Sequence, residues 1–128
     1  MFGRTKAFSG FSVNDLGEAR RFYGDTLGLQ VEETGEGDMR MLTLTLGSGA
    51  RVFVYPKDDH APAGFTILNF PVDDIDAAVA ELERRGVTFE RYPGFEADDK
   101  GVVRDERGPA IAWFTDPAGN VLSVLQEH

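Results

Sequence analysis

The sequence predicts an α+β fold in which two βαβββ modules follow one another in a single chain of 128 residues. Three observations carry this expectation. The first is an internal repeat. "FSGFSVNDLGEARRFYGDTLGLQVEE", beginning at Phe8, matches "ILNFPVDDIDAAVAELERRGVTFER", beginning at Ile67, at an offset of 59 residues. That offset also pairs Phe11 with Phe70, Val13 with Val72 and Ala19 with Ala78. The second is that each copy reads strand, Asp-rich corner, amphipathic helix, glycine, strand. The third is that each copy continues into two further strand-like runs separated by turn residues, which predicts mixed sheets with helices on one face only.

Each element has a local reason. The first strands contain Phe8 and Ile67 and end in "Val13-Asn14-Asp15-Leu16" and "Val72-Asp73-Asp74-Ile75". Asp15 is placed to cap the first helix, with Glu18 as its capping-box partner three residues on. Asp73 or Asp74 serves in the second copy, where acidic groups also suit the positive end of the helix dipole. Ile75, Ala78, Val79 and Leu82 form an apolar stripe, and Leu16, Ala19, Tyr23 and Leu27 form a similar one. Gly28 and Gly86 fit the positions just past the helix ends. Strands are then expected over residues 29–33, 39–46 and 51–55, with Gly47-Ser48-Gly49 turning the last pair. In the second copy they are expected over 87–92, 110–115 and 121–126. Asp116-Pro117-Ala118-Gly119 matches a type I turn between the last two.

The modules are expected near residues 1–57 and 65–128, parts of one domain joined by a linker near 58–64. His60 lies in that linker, beside Asp58 and Asp59, and reads as part of an exposed polar connection. One segment does not fit the repeat: "PGFEADDKGVVRDERGP", residues 93–109, is long and charged. It reads either as a lid over a site or as a solvated connection with a short strand at 102–104.

Composition narrows the function classes. Hydrophobic residues make up 41%, with ten Phe, three Tyr and one Trp, enough for a core. No apolar run approaches the roughly 20 residues that span a bilayer, and the N-terminal stretch carries no export pattern, so a cytoplasmic, soluble protein is expected. There is no Cys, which removes disulfides, thiolate metal sites and cysteine nucleophiles. The formal net charge of −9 repels phosphate backbones and favours cationic partners, so nucleic acid is not expected as a partner, and without a spanning run neither is a membrane. No G-x-S-x-G, P-loop or dinucleotide fingerprint occurs.

"SVNDLGEARRFYGDTLGLQV" and "IAWFTDPAGNVLSVLQ", in this order and with the internal repeat, resemble the vicinal oxygen chelate superfamily. That family includes glyoxalase I, extradiol dioxygenases, fosfomycin-resistance thiol transferases and bleomycin-binding resistance proteins. The resemblance covers nearly the whole chain and implies a curved mixed sheet around a cleft, helices outside. In the enzymes it implies a divalent metal, held by His, Gln or Glu on the first and last strands of the modules. Carried onto this sequence, those positions are Phe8, Ile67, Phe53 and Ser123. "Arg51-Val52-Phe53-Val54-Tyr55" aligns with "Val121-Leu122-Ser123-Val124-Leu125" in support of that register. Three of the four side chains have no donor atom and the fourth is a neutral hydroxyl, so no metal and no cofactor are expected.

Strand alternation then places Phe8, Gly10, Ser12, Phe53, Tyr55, Phe65, Ile67, Asn69, Val121, Ser123 and Leu125 on the cleft face, and Leu68, Phe70 and Val72 under a helix. Trp113 or Phe114 adds an aromatic from the neighbouring strand. The ligand-binding set expected from this is Phe8, Ser12, Phe53, Tyr55, Ile67, Asn69, Trp113 and Ser123, an aromatic concavity with a few polar points. Three functions remain open: a metal-free binder of a small apolar, aromatic or cationic molecule, as in the bleomycin-resistance branch; a lyase, isomerase or dioxygenase with a rearranged site; and a non-catalytic interaction module. A homodimer is expected by analogy with the family.

Overall fold

The computed structural model describes residues 1–106 and 108–127. Arg107, within the long segment 93–109, and the terminal His128 lie outside the described residues. The chain divides into two compact units, Met1–His60 and Ala61–His128.

The first unit contains β1 (Ser9–Val13), α1 (Leu16–Arg20), β2 (Gln30–Thr34), β3 (Met41–Thr45) and β4 (Arg51–Pro56). The second contains β5 (Thr66–Pro71), α2 (Ile75–Arg84), β6 (Phe89–Glu90), β7 (Ala110–Thr115) and β8 (Val121–Gln126). The sheets have equivalent orders, β1-β4-β3-β2 and β5-β8-β7-β6. In each, the first strand runs parallel to the last and the other pairs are antiparallel. This is the α+β repeat of mixed four-stranded sheets anticipated from the sequence.

The helix starts form as their side chains dictate. Asp15 Oδ1 accepts from the Glu18 N–H at 3.0 Å, and Asp74 Oδ1 from the Ala77 N–H at 3.1 Å. Of the two candidate caps in the second copy, Asp74 is the one used. The Ile75 N–H also donates to Gln126 Oε1 at 2.9 Å, tying the start of α2 to the end of β8. Gly28 and Gly86 both have positive φ, as a chain leaving a helix requires.

The first helix departs from a regular α-helix. After Arg20 the chain widens into a π-helical stretch, Arg21–Thr26, closed by Leu27 N–H donating to the Phe22 carbonyl. The adjacent rings of Phe22 and Tyr23 pack edge-on there at 5.2 Å, and Tyr23 is fully buried. Two strand expectations were too long. Residues 39–40 stand outside β3, because Gly37–Met39 forms a 3-10 turn ahead of it. The strand expected over 87–92 shrinks to Phe89–Glu90: the Val87 N–H closes onto the Leu82 carbonyl, and the Phe95 N–H onto the Tyr92 carbonyl. The short strand at 102–104 is present only as bridges from Val103 to Ala97 and Ile111.

Each sheet is two-faced. Leu42, Leu44 and Val54 in the first unit, and Ala112, Phe114 and Leu122 in the second, have no exposed surface. These alternate positions point toward the helix side, and burying each large one is worth about 1.5–3 kcal/mol. The residues between them are half-buried or exposed, with the exception of the fully buried Ser123 on β8. No described helix is long and apolar enough to cross a membrane.

Candidate functional site

The open face of the second unit is built on one row. Register pairs Asn69 with Ser123, Ser123 with Trp113, and Trp113 with Glu90. Register partners project from the same face, so four side chains stand abreast across β5, β8, β7 and β6. The choice between Trp113 and Phe114 is thereby decided: Trp113 stands beside Ser123, whereas Phe114 is fully buried on the helix side. Ser123 is the one fully buried polar side chain of the row, and its hydroxyl donates to Asn69 Oδ1 at 2.6 Å. Ile67 has a different setting. It falls at a register shift between Thr66 and Leu68 and has no direct partner on β8.

The long segment contributes to this face. Phe95 packs on Trp113 with ring centroids 5.1 Å apart, and Tyr92 meets Trp113 edge-on at 5.6 Å. Phe95 nevertheless stays 55% exposed. Neither residue is legible as a partner of Trp113 from the strand pattern, because both lie past the end of β6, where alternation stops. The stem of the segment is held independently. Asp98 Oδ1 accepts from the N–H groups of Lys100 and Val102 at 2.9 Å, and Val103 exchanges backbone hydrogen bonds with Ile111. Arg104 bonds Asp76 of α2 at 2.6 Å and approaches Asp98 at 3.6 Å. Partial burial raises the Asp98 carboxyl, but the two backbone N–H groups and Arg104 outweigh it and leave its pKa below the usual value. Burial, followed by the nearby Glu90 charge, pushes the Tyr92 phenol up.

The open face of the first unit carries Gly10, Ser12, Phe53 and Tyr55, with Gly10 paired to Phe53 and Ser12 to Tyr55. Phe8 lies one residue before β1 and stacks on Phe53 at 4.4 Å, with 25° between the ring planes. Gly10 and Phe53 occupy the same register as Asn69 and Ser123 in the second unit. A Cβ on Gly10 would meet the Phe53 carbonyl oxygen at 3.0 Å, so the close approach favours glycine there. His60 corrects the reading of its segment as merely an exposed connection. It is half-buried, and its Nδ1 is hydrogen-bonded to Ser12 Oγ at 2.6 Å. The cause is the tight turn after β4, in which the His60 N–H donates to the Lys57 carbonyl and the Lys57 N–H to the Val13 carbonyl. Strand periodicity carries no signal for a contact made by such a turn.

Residues 7–124 match the model of the Glyoxalase/Bleomycin resistance protein/Dioxygenase superfamily. The chain belongs to this superfamily. Similar solved structures include a superfamily member from Sphaerobacter thermophilus DSM 20745, 28% identical over 94% of this chain and 96% of that one, with a TM-score of 0.73. A glyoxalase/bleomycin resistance protein from Streptomyces sp. CB03234 is 25% identical, over 94% of this chain and all of that one, at a TM-score of 0.64. TnmS3 from the same Streptomyces strain, described as an antibiotic binding protein, is 24% identical over 98% of both chains, at a TM-score of 0.71. At that identity TnmS3 shares the fold alone. No curated protein matches the sequence.

Superfamily enzymes imply a divalent metal, and the residues at the corresponding positions do not fit one. Phe8 and Phe53 present stacked rings, Ile67 has no donor atom, and the buried Ser123 hydroxyl is directed at Asn69. Among the described residues no three His, Asp or Glu side chains converge elsewhere.

Proposed function

We propose that this superfamily member binds a small apolar or aromatic organic molecule on its open sheet faces, without a metal at the family positions. The observation that carries this reading is the Trp113 surface. An indole flanked by Tyr92 and Phe95 lies beside the Asn69–Ser123 pair, so a planar apolar group has a wall and a polar edge has a partner. Phe8, Phe53, Tyr55 and Ser12 offer a comparable mixture in the first unit. TnmS3 adds that the shared fold accommodates an antibiotic binding protein. The acidic balance, −9 overall, agrees with a small-molecule partner and with no nucleic-acid role. A homodimer is part of the same reading, and light scattering in solution checks it.

The test is a titration with Nile red, a neutral apolar dye. Saturable binding that weakens several-fold in Trp113→Ala supports the reading; non-saturable or absent binding overturns it. The Ser12–His60 hydrogen bond favours a second reading, in which the first unit's face carries an acid–base pair for chemistry on the bound molecule. Turnover of a candidate substrate that disappears in His60→Gln, with Nile red binding retained, would establish it.

A further inference from the structure

We propose that the Trp113 surface selects an organic cation, specifically the alkylammonium group of its ligand, through the three rings and the carboxylate of Glu90. This rests on the ligand-binding reading and names the ligand's chemical class. Aromatic faces attract cations through the ring quadrupole, and the attraction grows as the cation loses water. Two rings meet here on one indole, Tyr92 and Phe95, inclined to it by 75° and 59°. Inclined rings present faces in different directions, which suits a compact, roughly spherical ammonium better than a single flat partner does.

The second ingredient is charge. Glu90 is the direct cross-strand partner of Trp113, so its side chain leaves the same face with its Cβ about 5 Å from that of Trp113. It is half-buried, and its charge is felt at the Tyr92 phenol. The next residue, Arg91, lines a separate cavity of about 330 Å³ with Glu83, Phe89 and Lys100, at the far end of α2. Across the row, Asn69, Ser123 and Trp113 bring no positive charge. An ammonium held against the rings therefore meets a carboxylate. The net charge of −9 adds a long-range field of the same sense.

Choline and its neutral isostere 3,3-dimethylbutan-1-ol separate cation recognition from apolar contact, since they share shape and differ by one charge. Trp113 is the single tryptophan, so its fluorescence reports on the site directly. Choline is expected to bind about tenfold more tightly than the isostere. Glu90→Gln is expected to bring the affinities of choline and the isostere to within about twofold of each other. If Glu90→Gln does not fold, the wild-type protein still decides, because salt weakens choline binding and leaves the isostere unaffected. Equal affinities for the two probes, or no choline binding in a protein that binds Nile red, would overturn the cation assignment and leave the ligand-binding reading intact. Loss of Nile red binding itself would remove that reading as well.

Discussion

Ser123 Oγ and Asn69 Oδ1 are joined at 2.6 Å between β8 and β5, across 54 residues of sequence. The bond satisfies a hydroxyl that has no exposed surface. Its loss should therefore be asymmetric. Asn69→Ala leaves the buried hydroxyl without this acceptor and should cost about 1–3 kcal/mol, whereas Ser123→Ala removes hydroxyl and need together and should cost less. Urea unfolding of the two single variants and the double variant measures the difference. Equal costs would contradict it.

Ser123→Glu tests the fit of a metal. A carboxylate at a fully enclosed position, with Phe8, Phe53 and Ile67 still lacking donors, should destabilise the protein by several kcal/mol and bind no zinc, nickel or manganese. Metal analysis after dialysis against each ion, together with a thermal melt, reads both effects. Stoichiometric metal in the variant would place the ligand positions elsewhere.

The Phe8–Phe53 stack predicts a measurable coupling. Phe8 is 62% exposed, so Phe8→Ala alone should change stability by less than about 1.5 kcal/mol. A double-mutant cycle with Phe53→Ala should return a coupling of about 0.5–1.5 kcal/mol. A cycle that closes at zero would mean the rings only lie side by side.

Asp98 predicts a pH signature for the stem of the long segment. Its folded pKa is depressed, because the Lys100 and Val102 N–H groups and Arg104 outweigh its partial burial. Its stabilisation is therefore present above the ordinary value of 3.8 and fades as acid drives the pH down through the folded value. Asp98→Asn should lower the melting temperature at neutral pH, and the gap to wild type should close below that range. A gap independent of pH would assign the effect to hydrogen-bond geometry instead of charge.

Gly101 holds the same stem from the backbone. Its φ is +90°, and a Cβ there would stand 2.9 Å from Phe89 Cβ. Gly101→Ala should cost more than about 1 kcal/mol, with residues 97–103 losing hydrogen-exchange protection first.

The repeat in the sequence was sufficient for the architecture. A 59-residue offset, two acidic helix caps, two glycines with positive φ and period-two strands are local signals, and the mixed sheets follow from them. The helix-facing residues Leu122 and Val124 were legible for the same reason, since alternation assigns their face once Ser123 is placed on the other. Local signals stop where regular pairing stops. The wide turn at Arg21–Thr26, the shortening of β6 to two residues and the register shift at Ile67 depend on how side chains pack and on where backbone groups find partners.

The candidate site divides in the same way. Residue type alone decides whether a donor atom exists, so the lack of one in Phe8, Phe53 and Ile67, and the single hydroxyl of Ser123, could be read without the fold. The sequence also narrowed the aromatic of β7 to two neighbours. Only the folded chain selected Trp113, brought Phe95 and Tyr92 onto it, set Glu90 beside it and turned His60 back onto Ser12. These contacts are made by loops and by strands that are distant in sequence. Their partners are chosen by three-dimensional packing and hydrogen-bond satisfaction, and neither quantity is periodic along the chain.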